Sequence, residues 1–157
     1  MDNVIHAVQD EYADDYAWCY GCGRLNEHGL HLRTGWQGEE TITVYTPLLE
    51  HTAIPGFVYG GLIASLIDCH STGSASLALH RKNGHEPGDE VEPPRFVTAS
   101  LSIDFMKPTP QGVRLKAVGK LEEVHPKRWK IHTEVFAKDL VCAKGMVDAV
   151  VMPKSFG

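Results

Sequence analysis

Positive charge is scarce in this chain: 15 Lys and Arg stand against 20 Asp and Glu over 157 residues, giving a formal net charge of -5 and an isoelectric point near 6.0. A surface that follows nucleic-acid phosphates needs the opposite balance, so no nucleic-acid partner is expected. Cysteine is sparse as well. Four of them do not make the framework of a disulfide-stapled secreted domain. The N-terminus lacks the basic and apolar run of an export signal and carries Asp2, Asp10, Glu11, Asp14 and Asp15 instead. A cytoplasmic location with reduced thiols is the expectation. Long apolar runs are missing too. The least polar stretch, Gly60 to His80, is broken by Ser65, Asp68, His70, Ser71, Thr72, Ser74 and Ser76, which excludes a membrane span and any membrane partner. There is no internal repeat.

What is present suits one domain over residues 1–157, since 43% hydrophobic content at this length is enough for one core and too little for two. The charge is unevenly spread. Residues 107–144 hold nine Lys and Arg against four acids, whereas the first fifty residues hold nine acids against Arg24 and Arg33. Two readings stand: strand faces that carry their charges to solvent, which is the commoner use, or one end of the molecule that attracts an anionic, phosphorylated ligand.

Hydrophobic period divides the chain into strands, one helix, then more strands. Leu30 and Leu32, then Ile42 and Val44, alternate over 29–36 and 40–46, with Gly35 and Gly38 as the hairpin signal. From Gly60 the period becomes helical, with Ile63, Leu66, Ile67, His70, Ser74 and Leu77 on one side. The Pro, Gly and acid-rich run 81–94 ends that helix and reads as a flexible linker or a lid. Residues 1–28 read as an N-terminal arm. Val97, Ala99, Leu101, Ile103 and Phe105 then alternate with Thr98, Ser100, Ser102, Asp104 and Met106, and three more strands are expected at about 113–124, 128–139 and 141–151. The economical architecture is α+β, one antiparallel sheet of about six strands wrapped around a long central helix. A doubly wound parallel sheet is excluded, because no crossover helices separate the strands.

Asp68 is the single charged residue between Gly60 and Leu79. Within a helix covered by a sheet, such a carboxylate must face protein or a cleft, and leaving it unpaired is costly. Gly61, Ala64, Ser65, Asp68, Ser71, Thr72 and Ala75 share the side opposite the apolar one, and nearly all are small. A ligand can approach such a stripe. Asp68 could then take a proton from water or attack a carbonyl itself. Gly60 and Gly61 leave the N–H groups at the positive end of the helix uncovered, ready for an oxyanion, so donor and carboxylate are expected to flank one reactive carbonyl.

The run Pro55-Gly56-Phe57-Val58-Tyr59-Gly60-Gly61-Leu62-Ile63-Ala64-Ser65-Leu66-Ile67-Asp68 resembles the helix start of hotdog-fold thioesterases of the phenylacetic-acid-degradation type. Val97 to Pro108 resembles the strand that follows, and Cys19 to Leu32 is similar to a Cys-x-x-Cys-Gly lead-in of one branch. The resemblance covers most of residues 19–151. It implies a hotdog fold, two subunits joined edge to edge as a homodimer that can pair into a tetramer, and acyl-CoA hydrolysis at the subunit interface. No cofactor is implied beyond the CoA of the substrate. By the same resemblance Asp68 is base or nucleophile, Gly60 polarises the thioester carbonyl, and Thr98 is a hydroxyl that the partner subunit presents to the attacking water. The family usually has His before the two glycines, where Tyr59 stands here; some relatives carry an Asn or Gln six residues earlier, where Ala53 stands here, and His51, found in another branch, is the nearest polar substitute.

Ser65 and Thr72, on the small stripe, and Arg95 and Lys107, at opposite ends of the long strand, are candidate substrate contacts, the two cations for CoA phosphates. Cys19 and Cys22 with His28 and His31 have zinc-ligand chemistry, but the Cys-to-His interval is shorter than a finger requires, so no metal is expected. A redox pair lacks the strand-then-helix context. Cys69 is expected to pack in the core, and His70 to be a hydrogen-bonded core histidine. Two alternatives stand beside hydrolysis: a non-catalytic dimer that binds acyl-CoA or an aromatic ligand, and an enoyl-CoA hydratase using His51 or His70 with Asp68.

Overall fold

The computed structural model describes residues 3–4 and 6–156; Asp2 of the acidic N-terminal run lies outside them. The strands are β1 (Thr34–Gln37), β2 (Glu40–Tyr45), β3 (Phe96–Phe105), β4 (Leu115–His125), β5 (Arg128–Ala137) and β6 (Leu140–Val151), and the one long helix, α1, is Gly60–Lys82. All pairings are antiparallel, in the order β1-β2-β4-β5-β6-β3. The path from β2 through α1 to β3 therefore carries the chain from one side of the sheet to its opposite edge.

Why the sheet curls round α1 is visible in what each side buries. Leu62, Ile63, Leu66 and Ile67 of α1 meet Leu115 and Ala117 of β4, Ile131 and Val135 of β5, and Ala143, Val147 and Ala149 of β6, all essentially without solvent contact. Each large aliphatic side chain so buried contributes about 1.5–3 kcal/mol. Beneath this layer runs a polar one. The Gln9 amide donates to the Thr34 hydroxyl, which bonds Thr43, whose hydroxyl meets His70 Nδ1 at 2.8 Å, while Thr41 bonds Ser74. Arm, sheet and helix are thus joined through groups that are fully satisfied only in this register.

Two sequence expectations shift. Residues 29–33 are not strand: the Leu30 and Leu32 N–H groups donate to the Tyr20 and Gly21 carbonyls, and His31 has a left-handed φ of 55°, which breaks the extended run. Gly38, at φ 64°, makes the β1–β2 turn, while Gly35 lies inside β1. The helix runs on to Lys82, where His80, Arg81 and Lys82 complement its negative end and the Asn83 N–H donates to the Leu79 carbonyl.

The 81–94 segment is tied down at several points. Arg81 pairs with Glu86, the Asp89 carboxylate accepts from the Glu86 and Val91 N–H groups, and Ser76 donates to the Pro94 carbonyl. The Gly88 N–H donates to Glu11 of the N-terminal arm, which links the two segments directly.

Candidate active site

Only the first half of the helix stripe read from the sequence is left open by the sheet: Gly60 and Gly61 are exposed and Ala64, Ser65 and Asp68 are half-buried, whereas Ser71, Thr72 and Ala75, further along it, are buried. Thr98 of β3 donates its hydroxyl to Asp68 Oδ1. A bulge between Thr98 and Ser100 in the β3–β6 register makes this contact. Strict alternation would put Thr98 on the face of Ser100, Ser102 and Asp104. The extra residue instead turns it to the helix side, opposite core-facing Ala149, where Leu101, Ile103 and Phe105 also lie. Thr98, expected to reach the site from a partner subunit, thus meets Asp68 within its own chain.

At the helix start, Tyr59 is the N-cap residue and no side chain caps the first turn. A Cβ on Gly61 would stand 2.3 Å from the Tyr59 ring, and one on Gly60 would stand 3.3 Å from the Phe105 ring. The two aromatic rings therefore flank the glycine pair, and the Tyr59 ring rests against Gly61 backbone that a side chain would cover. A cavity of about 310 Å³ opens here, lined by Gly60, Ile63, Phe105, Met106, Lys107 and Thr109 among others. Larger grooves lie on the outer face of the sheet, around Lys120, His132 and Glu134, away from the helix stripe.

Gly60 and Asp68 are eight residues apart, about 12 Å of helix rise, so the donor and carboxylate of one chain do not flank a single carbonyl. The cause is simple geometry: a common helix face does not shorten the axial distance.

The other candidates separate. Ser65 stays on the open stripe and donates to the Gly61 carbonyl. Thr72 is buried, with its hydroxyl on the Asp68 and Cys69 carbonyls, so it does not face the cleft. Lys107 is exposed at the rim of the cavity. Arg95 is turned to its own chain, where it donates to the Phe96 carbonyl and lies over the Tyr12 ring at 4.8 Å. His51 Nδ1 accepts the Leu48 N–H, which orients its ring beside Tyr45. His70 is sealed in the core, and burial pushes its pKa down to about 3. It is the neutral core histidine expected, and a hydratase pairing of His70 with Asp68 has no access to substrate.

Two residues escaped the sequence reading. Gln111 donates to the His51 carbonyl at 3.1 Å and the Thr52 hydroxyl at 3.0 Å, clamping the loop that precedes α1. Nothing in the Pro110-Gln111-Gly112 turn announces this. Phe105 ends the apolar face of β3, which was a signal available and unused.

The spacing argument paired Cys19 and Cys22 with His28 and His31. The structure brings Cys69 to them instead, and His31 turns its ring to the Asn26 carbonyl. Hydrogen bonds from the Cys22 and Cys69 thiols, with the Cys22 and Gly21 N–H groups behind them, hold the Cys19 thiol far below its ordinary range. Donating to Cys19 pushes Cys22 up to about 12 and raises Cys69 as well.

A six-stranded antiparallel sheet curled round one long helix, with a carboxylate on the helix stripe beside the open edge, defines a hotdog-fold protein. The model of the thioesterase superfamily matches residues 55–144, and the chain belongs to that superfamily. It is 46% identical to a thioesterase superfamily protein from Shewanella loihica PV-4 whose crystal structure it matches with a TM-score of 0.67, over 89% of this chain and 98% of that one. The PaaI protein of the E. coli phenylacetic acid degradation operon shares the fold at 13% identity, with a TM-score of 0.62 over 79% of this chain and 81% of that one. A virulence protein from Campylobacter jejuni does so at 14% identity and TM-score 0.62, over 94% and 97%. No curated protein matches the chain. Among the described residues, no helix is long and apolar enough to cross a membrane.

Proposed function

We propose that this chain hydrolyses acyl-CoA thioesters, in the manner of phenylacetic-acid-degradation-type thioesterases, as a homodimer with two equivalent sites. The observation that carries the reading is the Thr98–Asp68 pair on an open helix stripe that has no other charge. Membership of the thioesterase superfamily supports it in general terms.

Asp68 acts as base. It takes a proton from a water whose oxygen adds to the acyl carbon; the C–S bond then breaks, and that proton passes to the CoA sulfur, leaving free acid and CoA. Thr98 orients the carboxylate. The carbonyl oxygen of the substrate needs a donor, and 12 Å of helix puts the uncapped Gly60 N–H out of reach in the same chain, so the donor is Gly60 of a second copy. The edge strand β3 supports that pairing. It exposes Leu101 and Phe105 on the helix side, with Met106 next in sequence and Tyr59 and Phe57 exposed at the start of α1, an apolar edge that a second β3 would cover. Lys107 lines the rim of the cavity beside Gly60, and in this reading it pairs with the CoA phosphates.

One observation favours a second reading, a non-catalytic dimer that binds acyl-CoA or an aromatic ligand: the Tyr59 ring folded against Gly61 narrows the space where a carbonyl would sit. A thiol-release screen over short, long and aromatic acyl-CoAs separates the two. Turnover that disappears in Asp68→Asn supports hydrolysis. Saturable binding with no CoA released by the wild type, or full activity in Asp68→Asn, sinks it.

A further inference from the structure

The three thiols of Cys19, Cys22 and Cys69 lie within 4.8 Å of one another, and the Cys19 and Cys69 sulfurs are 3.9 Å apart. Tetrahedral zinc with Zn–S bonds of about 2.3 Å holds its sulfurs about 3.8 Å apart. A disulfide would need about 2.0 Å. The triangle matches the first arrangement with small adjustments of side chains.

The loop that presents the first two thiols is shaped for this. Both thiols sit in the five-residue run Cys19-Tyr20-Gly21-Cys22-Gly23. The Gly23 N–H closes the loop on the Cys19 carbonyl at 2.7 Å, and the Leu25 N–H does so on Ala17 at 3.0 Å. A Cβ on Gly21 would stand 2.3 Å from Cys69 Sγ, and one on Gly23 2.4 Å from the Cys19 nitrogen. Both glycines are therefore required for the loop to close over the helix.

A second, independent feature is Arg95. This half-buried cation makes no carboxylate ion pair among the described residues, and its charge acts on Cys19, Cys22 and Cys69. A Zn²⁺ ion held by three thiolates carries a net charge of −1, which the guanidinium offsets.

We propose that Cys19, Cys22 and Cys69 form a site for a thiophilic metal ion, zinc foremost, with the fourth position taken by a solvent molecule. Binding displaces the thiol protons to solvent and leaves the metal Zn²⁺ throughout, so no oxidant or reductant is needed. The ion fastens the arm to α1 at the residue next to Asp68. His28 and His31 take no part.

The test is the metal content of the reduced wild-type chain after incubation with excess Zn²⁺ and gel filtration, read by atomic emission. About one zinc per chain is expected, and Co²⁺ in its place gives thiolate-to-cobalt charge-transfer absorption. Cys22→Ser and Cys69→Ser each bind zinc at least about tenfold more weakly, whereas Cys142→Ser and the His28→Ala/His31→Ala double variant keep the wild-type stoichiometry. Should Cys69→Ser fail to fold, Cys22→Ser and the cobalt spectrum of the wild type decide. A wild-type chain that stays metal-free under reducing conditions overturns the proposal. So does zinc retained unchanged in Cys22→Ser.

Discussion

Thr98 and Asp68, thirty residues apart in the chain, are hydrogen-bonded across the open side of α1. A single bulge residue in an otherwise regular edge strand creates the contact, because it moves Thr98 from the outer face of the sheet to the helix face. The hydroxyl has one acceptor there and the carboxylate one fixed orientation.

Removing that hydroxyl deprives a charged group of a bond worth about 1.5–3 kcal/mol. Thr98→Val is expected to lower kcat by about 10- to 100-fold with little change in KM, while Asp68→Asn abolishes turnover. Steady-state thiol release with circular dichroism as the fold control checks this; an unchanged kcat in Thr98→Val removes Thr98 from the site.

Gly60 is the first helical residue, where proline is well tolerated, and Tyr59 before it already has extended φ and ψ of −73° and 148°. Gly60→Pro therefore removes the N–H donor while the helix stays intact. It is expected to be inactive yet folded. If donor and carboxylate come from different copies, refolding Gly60→Pro together with Asp68→Asn restores one sound site in each mixed dimer, about a quarter of wild-type activity overall. No recovery in a mixture shown to contain mixed dimers means that each chain works alone.

The Tyr59 ring leaves no room for a methyl group on Gly61. Gly61→Ala forces the ring away; with Tyr59 exposed the ring can swing out, so the cost is no more than about 1 kcal/mol and roughly cancels the gain of up to about 1 kcal/mol in helix propensity. Adding Tyr59→Ala removes the clash, so the double variant is expected to melt above the single one. Thermal unfolding at fixed protein concentration measures this, and additive effects of the two changes contradict it.

His70 is held neutral in the folded chain, with its pKa lowered from 6.5 to about 3 by burial. The unfolded chain takes up a proton at His70 below about 6.5 and the folded chain does not, so this contribution is complete above 6.5 and is lost as pH falls toward about 3. The steepest loss is about 1.4 kcal/mol per pH unit. Denaturation by urea across that range is expected to show a flatter profile for His70→Gln than for the wild type. Parallel profiles would mean that His70 titrates normally.

Much of the fold was legible because period survives in sequence: the α1 pattern, the alternation of β4 to β6 and the Gly38 turn each record a local choice between helix, strand and turn. Asp68 was legible for a related reason, since a lone carboxylate in a helix without other charge has no solvent face to occupy. The inward turn of Arg95, the burial of Thr72 and the Gln111 clamp left no such trace. Each depends on what packs against the residue from a distant segment, and a polar side chain carries no local pattern that says whether its partner is solvent or protein.

The sequence by itself determined that a sheet of about six strands encloses one helix, and which residue on that helix bears the charge, because periodicity and composition act over a few residues at a time. Tertiary structure alone decided that Thr98 reaches Asp68 and that Cys69 rather than a histidine joins Cys19 and Cys22. Those outcomes turn on a one-residue bulge and a loop laid across a helix, distances that become defined only when the distant parts of the chain are packed together.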